Sequence, residues 1–231
     1  MTGLPSALPA DAAAVLVPVK AFAQAKLRLA DVLEPATRSE LARAMAAQVL
    51  RAAAPLPVYV VCDDLEVRAW AERQDAEVVW TPDLGLNGAV EAGVAHLARR
   101  GIARAVVSHA DLPLATDLAW LAAAGRRGDD VVTLVPDRRL DGTNVAVVPT
   151  GAGFRFAYGP ASFAAHRAEA IRLGLPARLV PDERLGWDVD VAADLALADH
   201  LTLPSTVAAL LRAAAEAASP DPSADPSPAE V

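Results

Sequence analysis

Short apolar runs alternate with stretches of helical periodicity along most of the chain. The runs are apolar at nearly every position, which indicates strands buried on both faces. Six such strands are predicted at 14–19, 58–62, 77–80, 104–109, 130–136 and 144–148. Apolar residues at three- and four-residue steps predict helices at 37–54, 65–74, 87–100, 116–126 and 161–173. A short strand at 177–180 and further helices from 192 complete the pattern.

This alternation predicts βαβ units, and therefore a mainly parallel sheet inside a Rossmann-like, three-layer α/β/α sandwich. The last two of the six strands are joined by a loop too short for a crossover, so they are predicted to pair antiparallel. Thr37 and Glu40 predict a capping box at the start of the first helix. We find no internal repeat and no linker, and predict one domain at 12–218 with flexible tails at 1–11 and 219–231.

Composition narrows the class of protein. The chain has 231 residues and a net charge of −8, which argues against a general nucleic-acid or anionic-membrane surface but permits a small anionic ligand in a local basic pocket. Its one cysteine, Cys62, excludes an internal disulfide and a cysteine metal cluster, and its place at the end of an apolar run predicts a buried core residue. No run approaches the roughly 20 apolar residues of a membrane span, and the N-terminus lacks a basic start, so we expect a cytoplasmic protein.

Candidate chemistry is sought after each strand, because open α/β sheets bind ligands beyond the carboxyl ends of their strands. Lys20, Lys26 and Arg28 follow the first strand and could neutralise a polyphosphate, although they could also form a solvated basic loop. The loop matches neither GxxxxGK[ST] nor GxGxxG. Asn87, after the third strand, could cap the next helix, contact a nucleotide, or do both.

Acidic residues follow the fourth strand and recur late in the chain. Asp111 stands where a carboxylate can hold Mg²⁺ beside a phosphate, with a simple turn as the alternative. His109 is expected to be a polar core residue with a backbone partner rather than a catalytic base. Asp188 and Asp190 should face the same side of an extended segment, where paired carboxylates need a cation unless they lie in solvent.

Two further segments point to an anion site. Gly159 and Ser162 stand at the entry to a helix, where free backbone N–H groups could bind an anion, or where Ser162 could simply cap the helix. Asp141 and Gly142 form a strong turn signal, and Thr143 follows it close to two arginines, Arg138 and Arg139. As a hairpin turn, this second segment needs no function.

Six motifs in order resemble those of the 2-phospho-L-lactate guanylyltransferase family of coenzyme F420 biosynthesis. They are VPVKAFAQAKLRLA, LNGAVEAG, HADLPL, VPDRRLDGTNV, YGPASFAAHRAEA and WDVDVAADL, and the resemblance covers about 14–203. It implies a nucleotide-diphospho-sugar-transferase-like α/β fold. It also implies Mg²⁺-dependent transfer of GMP from GTP to the phosphate of phosphoenolpyruvate or 2-phospho-L-lactate, with release of pyrophosphate.

The resemblance also implies roles for individual residues. The expected Mg²⁺ ligands are Asp111, Asp188 and Asp190, which together with Lys26 form the expected catalytic set. The nucleotide-side residues are Lys20, Lys26 and Asn87, and the phospho-acid side has Thr143, Gly159 and Ser162. Two positions depart from the family pattern. Leu27 replaces a serine or threonine, and Ala161 replaces a glycine, so the loop is expected to lose backbone freedom at Ala161.

Other functions remain open at this stage. A sugar or molybdopterin nucleotidyltransferase of the same fold would be expected to carry a glycine-rich first loop, which is missing. A non-catalytic nucleotide-binding protein would have little need for three converging carboxylates. The expected partners are GTP and a small phosphorylated carboxylic acid, with no nucleic acid and no membrane. The sequence leaves open a homodimer and the choice of acid, including 3-phosphoglycerate.

Overall fold

A seven-stranded sheet forms the centre of the computed structural model, which describes residues 12–123, 130–195, 202 and 204–218. Its strands are Ala13–Pro18 (β1), Val58–Cys62 (β2), Glu77–Trp80 (β3), Arg104–Ser108 (β4), Val132–Pro136 (β5), Thr143–Pro149 (β6) and Ala177–Leu179 (β7). The helices are Pro35–Ala52 (α1), Leu65–Arg73 (α2), Gly85–Arg99 (α3), Leu118–Ala123 (α4), Ser162–Arg172 (α5) and Ser205–Ala218 (α6). The predicted tails, positions 124–126 of the predicted fourth helix and 196–201 lie outside the described residues.

The strand order is β3-β2-β1-β4-β6-β5-β7. Strands β3, β2, β1 and β4 are parallel, and Val15 of β1 aligns with Val58 on one side and Val106 on the other. The predicted antiparallel pairing of β5 with β6 is confirmed. Strand β6 is also antiparallel to β4, which the sequence did not predict. The carboxyl ends of β1, β2, β3 and β4 therefore lie at one edge of the sheet.

Helices cover both faces of the sheet, so the predicted three-layer sandwich is confirmed. Successive residues of β1 face opposite layers: Val15 and Val17 pack with α1, α2 and α4, and Leu16 packs with α3. Gly93 allows α3 to approach closely, because a Cβ at this position would lie 2.7 Å from side-chain atoms of Leu16 and Val61.

Helix α1 begins earlier than predicted, and the predicted capping box is wrong. Glu34 is the N-cap residue and its side chain makes no capping hydrogen bond, whereas Thr37 and Glu40 lie within the helix. Pro35 at the first helical position explains the earlier start, because its φ is already helical and it has no N–H to satisfy. Among the described helices, none is both long and apolar enough to cross a membrane.

Candidate active site

A pocket of about 860 Å³ opens at the carboxyl edge of the parallel strands. Lys20, Lys26 and Arg28 reach it from the loop after β1, Asp111 from the loop after β4, and Asp190 from the segment after β7. The structure thus brings together residues from three parts of the chain, as the sheet-edge rule predicted. Cys62 also lines the pocket but is buried, as predicted, and this burial raises the pKa of its thiol.

Lys26 joins two of the predicted acidic residues. Its Nζ lies 2.6 Å from Asp111 Oδ2 and 3.0 Å from Asp190 Oδ1, and only 8% of its side chain is exposed. Burial opposes the charge of the ammonium, but the two carboxylates outweigh it and raise the pKa of Lys26. The backbone of Lys26 is left-handed, with φ of 55°, which directs the loop after β1 into a tight turn before Leu27.

Asp111 is held in its ionised form by its neighbours. Burial acts to raise the pKa of this carboxyl, but the charges of Lys26 and His109 lower it below its usual value. Its Oδ1 is buried and has no hydrogen-bond partner among the described residues, although His109 Nδ1 lies 3.9 Å away. An ionised oxygen in this position is suited to a cation.

Asp188 has a less favourable environment for a negative charge. It is 8% exposed, and burial together with the nearby charges of Asp111 and Asp190 raises its pKa. Val189, between the two aspartates, is buried in an apolar cluster separate from the two that cover the faces of the sheet. Its N–H donates to the backbone oxygen of Asp111 at 3.2 Å. This contact ties the Asp188–Asp190 segment to the loop after β4.

The three aspartates have the right chemistry for Mg²⁺, since a buried unpartnered oxygen on Asp111 and the mutual repulsion at Asp188 both favour a cation. Their arrangement is not a preformed metal site, however. No group of three or more potential ligands of the His, Cys, Asp and Glu type is positioned for a metal among the described residues. The Lys26 ammonium contacts Asp111 and Asp190 instead. The three-carboxylate metal site therefore stays a prediction.

Asp194 anchors the Asp188–Asp190 segment, a role that the sequence reasoning missed. Its carboxylate is fully buried and accepts the backbone N–H of Asp190 at 2.7 Å and that of Val191 at 2.9 Å. Burial opposes its charge, but these N–H groups and two arginines lower the pKa of Asp194. The available signal was its place four residues after Asp190.

The two arginines after β5 serve this anchor rather than the pocket. Arg138 and Arg139 both pair with Asp194, the latter with Nη2 2.8 Å from Oδ1. Arg138 also donates to the backbone oxygen of Asp188 at 3.2 Å, and its guanidinium lies over the ring of Trp187. Their concentration at the ligand edge is thus explained by a structural ion-pair network.

Replacing Asp194 with Asn should lower the free energy of unfolding by on the order of 2–3 kcal/mol, because two partly exposed arginines lose the buried carboxylate with which they pair. Turnover should also fall, since the backbone of Asp190 loses its anchor. Urea denaturation and steady-state kinetics measure the two effects. Asp182→Asn is the matched control, because the half-exposed Asp182 side chain accepts the backbone N–H groups of Arg184 and Leu185 in the same region. Equal effects of the two variants would contradict the assignment.

Thr143, Ser162 and Gly159 lie together away from the residues that line the pocket, and Thr143 and Ser162 are buried. Thr143 N donates to Ser162 Oγ at 3.0 Å, and Ser162 N donates to the backbone oxygen of Gly159 at 3.1 Å. Next to Thr143 in β6, the Asn144 amide lies 3.5 Å from Asp188 Oδ1. The strand that carries Thr143 therefore contacts one predicted metal ligand, through Asn144.

The expectation of free N–H groups at the start of α5 is not met at Ala161, Ser162 and Phe163. Ala161 N donates to Asp141 Oδ1, Ser162 N to Gly159 O, and Phe163 N to Asp141 O. The turn residue Asp141 thus satisfies the helix end from within the protein, and Ala161 rather than Ser162 is the N-cap residue. An anion at this site would need donors other than these three N–H groups, and the hydroxyl groups of Thr143 and Ser162 are two candidates.

Asn87 and His109 differ from expectation. Asn87 lies within α3 and does not cap it; its amide instead accepts from Tyr158 N at 2.8 Å and donates to Tyr158 O at 3.4 Å. The half-buried His109 packs its ring on Tyr158, with centroids 4.8 Å apart. Its Nε2 has no hydrogen-bond partner among the described residues, so the side-chain partner that we predicted on the backbone is wrong. Tyr158, which the sequence reasoning missed, connects both residues to α5.

A match to a protein-family model identifies the family of this chain. The model described as "Guanylyl transferase CofC like" matches residues 13–199. The chain belongs to this family. The resemblance inferred from the six motifs is thereby confirmed, and membership places the chain among the nucleotidyltransferases.

Individual relatives agree with the family model. A phosphoenolpyruvate guanylyltransferase of Sphaerobacter thermophilus is 36% identical over 193 residues, covering 80% of this chain and 92% of the relative. One from Salinispora arenicola is 36% identical over 211 residues, covering 88% and 95% respectively. Among solved structures, a protein of Desulfovibrio desulfuricans G20 assigned to the nucleotide-diphospho-sugar transferases has a TM-score of 0.71 at 17% identity, covering 89% of this chain and 96% of that one. This last likeness confirms the predicted fold class.

The two departures from the family pattern have different structural settings. Leu27, in place of a hydroxyl residue, is 61% exposed beside the pocket. Ala161, in place of glycine, has φ of 57°, in the left-handed region that glycine adopts more readily. The alanine therefore adds backbone strain next to Ser162.

Restoring glycine at this position should stabilise the protein. Ala161→Gly is expected to raise the free energy of unfolding by about 1 kcal/mol, since alanine is disfavoured at this φ. Ala164→Gly, at an exposed position inside α5, should lower it by a similar amount because helical glycine is unfavourable. Chemical denaturation compares the two, and a decrease in both variants would contradict the strain at Ala161.

Proposed function

We propose that this protein transfers GMP from GTP to the phosphate of a small phosphorylated carboxylic acid, phosphoenolpyruvate or 2-phospho-L-lactate, in coenzyme F420 biosynthesis. The observation that carries the proposal is the contact of Lys26 with Asp111 and Asp190 on the wall of the pocket, in a chain of this family. The printed names of the relatives favour phosphoenolpyruvate as the acceptor.

The pocket supports binding of a nucleoside triphosphate. Its volume of about 860 Å³ lies within the usual range for sites of small ligands. Lys20 and Arg28 are exposed at its wall and carry charge that can meet triphosphate oxygens, while Lys26 lies deeper beside Asp111. The cations share the pocket wall with four aspartates, Asp63, Asp64, Asp111 and Asp190, so the pocket can meet both triphosphate oxygens and a cation bound with them.

The acceptor would lie near the start of α5, where Thr143, Gly159 and Ser162 meet. Thr143 and Ser162 offer hydroxyl donors to its phosphate or carboxylate, and Gly159 leaves room for close approach because nothing lies within 4 Å of where its Cβ would stand. Direct transfer from a bound nucleotide to a bound acceptor needs no carrier on the protein.

The proposed reaction is an in-line displacement at the α-phosphorus of GTP. An anionic phosphate oxygen of the acceptor forms the new P–O bond, and the bond from the α-phosphorus to the bridging oxygen breaks as pyrophosphate leaves. The nucleophile is already ionised, so no side chain has to remove a proton. The cations of the pocket would stabilise charge on the pyrophosphate, and the chain would hold both substrates in line.

Asp111, Asp188 and Asp190 would hold Mg²⁺, which when bound would neutralise charge on the triphosphate. Lys26 pairs with two of these carboxylates, and Asp194 fixes the backbone of Asp190. These residues position the acidic side chains before any substrate enters.

The proposal is tested by pyrophosphate release from GTP with phosphoenolpyruvate, 2-phospho-L-lactate or 3-phosphoglycerate, with and without Mg²⁺. We expect release with one of the first two acids, dependence on Mg²⁺, and a guanylylated acid detected by mass spectrometry. ATP and CTP serve as nucleotide controls. Absence of release with every acid would refute guanylyl transfer and leave a nucleotide-binding protein as the better description.

A further inference from the structure

His166 is fully buried at the start of α5 and contacts both the loop before the helix and the proposed acceptor site. The backbone N–H of Ala157 donates to its Nε2 at 2.9 Å, and its Nδ1 lies 3.0 Å from Thr143 Oγ1. The rings of Phe154, Phe156 and Tyr158 surround the imidazole. Nothing in the function proposed above uses this residue.

The hydrogen bonds of His166 determine which of its nitrogens carries the proton. A backbone N–H can only donate, so Nε2 must accept from Ala157 and cannot be protonated. Burial lowers the pKa of His166 to about 4, so the imidazole is neutral in ordinary buffers and holds one proton. That proton must be on Nδ1, which therefore donates to Thr143 Oγ1.

This tautomer sets the direction of the Thr143 hydroxyl. Because Oγ1 accepts from His166, its own hydrogen points away from the imidazole and is available to another acceptor. Ser162 is in the same state, since its Oγ accepts from the backbone N–H of Thr143. Two neighbouring hydroxyls are thus both held as donors, the arrangement that suits an anionic oxygen.

We propose that His166 is a positioning residue that fixes Thr143, through Nδ1–H, as a hydrogen-bond donor to the phosphorylated acid. The proposal rests on the function proposed above, because it assigns the acceptor to Thr143. It distinguishes His166 from a packing residue. The N–H donor at Nδ1 is needed to bind the phosphorylated acid, whereas the unprotonated Nε2 is needed to hold the loop at Ala157.

Two amide substitutions separate these roles. In His166→Asn the side-chain NH₂ can occupy the place of Nδ1 and donate to Thr143, but Ala157 loses its partner. In His166→Gln the amide oxygen can occupy the place of Nε2 and accept from Ala157, but Thr143 loses its donor. We expect His166→Asn to keep the KM for the acid within about threefold of wild type, and His166→Gln to raise it roughly 10- to 100-fold. The KM for GTP should stay unchanged in both.

A double-mutant comparison tests whether His166 acts through Thr143. Thr143→Val should weaken binding of the acid but not of GTP. Adding His166→Gln to Thr143→Val should cause no further rise in the KM for the acid. His96→Gln is the matched control, because His96 is in the last turn of α3, beside Tyr59. Thermal denaturation of each variant checks that the fold is retained. Recovery by Gln instead of Asn, or additive effects with Thr143→Val, would overturn the proposal.

The tautomer can be measured whether or not the protein turns over. In ¹⁵N-labelled protein, long-range ¹H–¹⁵N correlations should identify a protonated Nδ1 and an unprotonated Nε2 for His166. The opposite tautomer would overturn the positioning role even in an active enzyme. If the wild type releases no pyrophosphate with any acid, the proposed function fails separately. Calorimetric titration of phosphoenolpyruvate into wild type and the two amide variants then gives the same comparison, and equal affinity in all three would refute the inference.

Discussion

Asp188→Asn is expected to abolish turnover while leaving the protein at least as stable as wild type. Removing one of the proposed ligands of Mg²⁺ should reduce kcat by about 10³-fold or more. The same change relieves the fold, because the buried Asp188 carboxylate lies near the charges of Asp111 and Asp190. Asparagine keeps the shape and removes the repulsion. Steady-state kinetics and urea denaturation of the same preparation measure both effects.

The stability gain should depend on pH in a defined direction. The pKa of Asp188 is raised on folding by burial and by the neighbouring carboxylates, so the folded state holds its proton longer than the unfolded state. The wild type should therefore become less stable as pH rises through the folded pKa of Asp188. Asp188→Asn should not show this decrease.

Controls and a companion variant sharpen this test. Asp190→Asn should lose turnover to a similar extent, but without the same gain in stability, since Asp190 is 42% exposed and pairs with Lys26. Asp31→Asn is the control, because Asp31 is an exposed carboxylate at the end of the same loop as Lys26. Wild-type turnover in both Asp188→Asn and Asp190→Asn would refute the metal assignment. A large loss of stability in Asp188→Asn would refute the repulsion.

Lys26→Met should reverse the pH dependence of stability at Asp111 and reduce turnover by about 10³-fold. In the wild type, the ammonium overcomes the effect of burial and lowers the pKa of Asp111, so this carboxylate stabilises the fold above its usual pKa and ceases to do so in acid. Without the ammonium, burial should raise the pKa of Asp111 above the unfolded value. The free energy of unfolding of the variant should then fall as pH rises from about 4.

Denaturation of Lys26→Met and wild type between about pH 4 and pH 8 measures this reversal. Added Mg²⁺ or Mn²⁺ should raise the melting temperature of the variant more than that of wild type, because the metal would replace the missing positive charge. Lys20→Met is the control for stability, since Lys20 is exposed at the same pocket. Parallel pH profiles of Lys26→Met and wild type would contradict the coupling to Asp111. No response to metal would count against the metal site while leaving the ion pair intact.

Local patterns predicted five of the strands, β1, β2, β4, β5 and β6, well because their residues are largely buried on both faces. In β1, Val15 and Val17 pack on one helix layer and Leu16 on the other, which explains its continuous apolar run. Helix starts were predicted less well. At α1, two local signals for a helix start coexist and only one is used. The helix begins at Pro35, and the plausible capping box at Thr37 does not form.

The prediction that distant residues meet at one edge also held for part of the site. Lys26 and Asp111 are 85 positions apart, and Lys26 and Asp190 are 164 apart, yet their side chains are in contact. The sheet-edge rule places the ends of β1 and β4 side by side and so carries this inference. The rule gives the edge but no hydrogen-bond partner, and so it missed that Lys26 neutralises two aspartates.

The roles of Asp194, Asn87 and His166 depended on contacts that no local pattern encodes. Asp194 resembles a helix cap in sequence, but its burial against Arg138 and Arg139 makes it the anchor of Asp190. Asn87 suits a cap equally well, but α3 begins before it, and its amide is bound to Tyr158. In each case the side chain could have formed hydrogen bonds with several different partners, and the folded chain brings a particular one within reach.

The sequence by itself determined the alternation of strands and helices, the edge at which polar residues gather, and the family, because these follow from periodicity, chain direction and ordered motifs. Only the tertiary structure decided that Asp141 occupies N–H groups at the start of α5, that Lys26 stands between two carboxylates, and that His166 lies within hydrogen-bond distance of Thr143. The physical reason is that charge and hydrogen-bond direction depend on every neighbour within a few ångströms. Those neighbours come from segments that only the folded chain brings together.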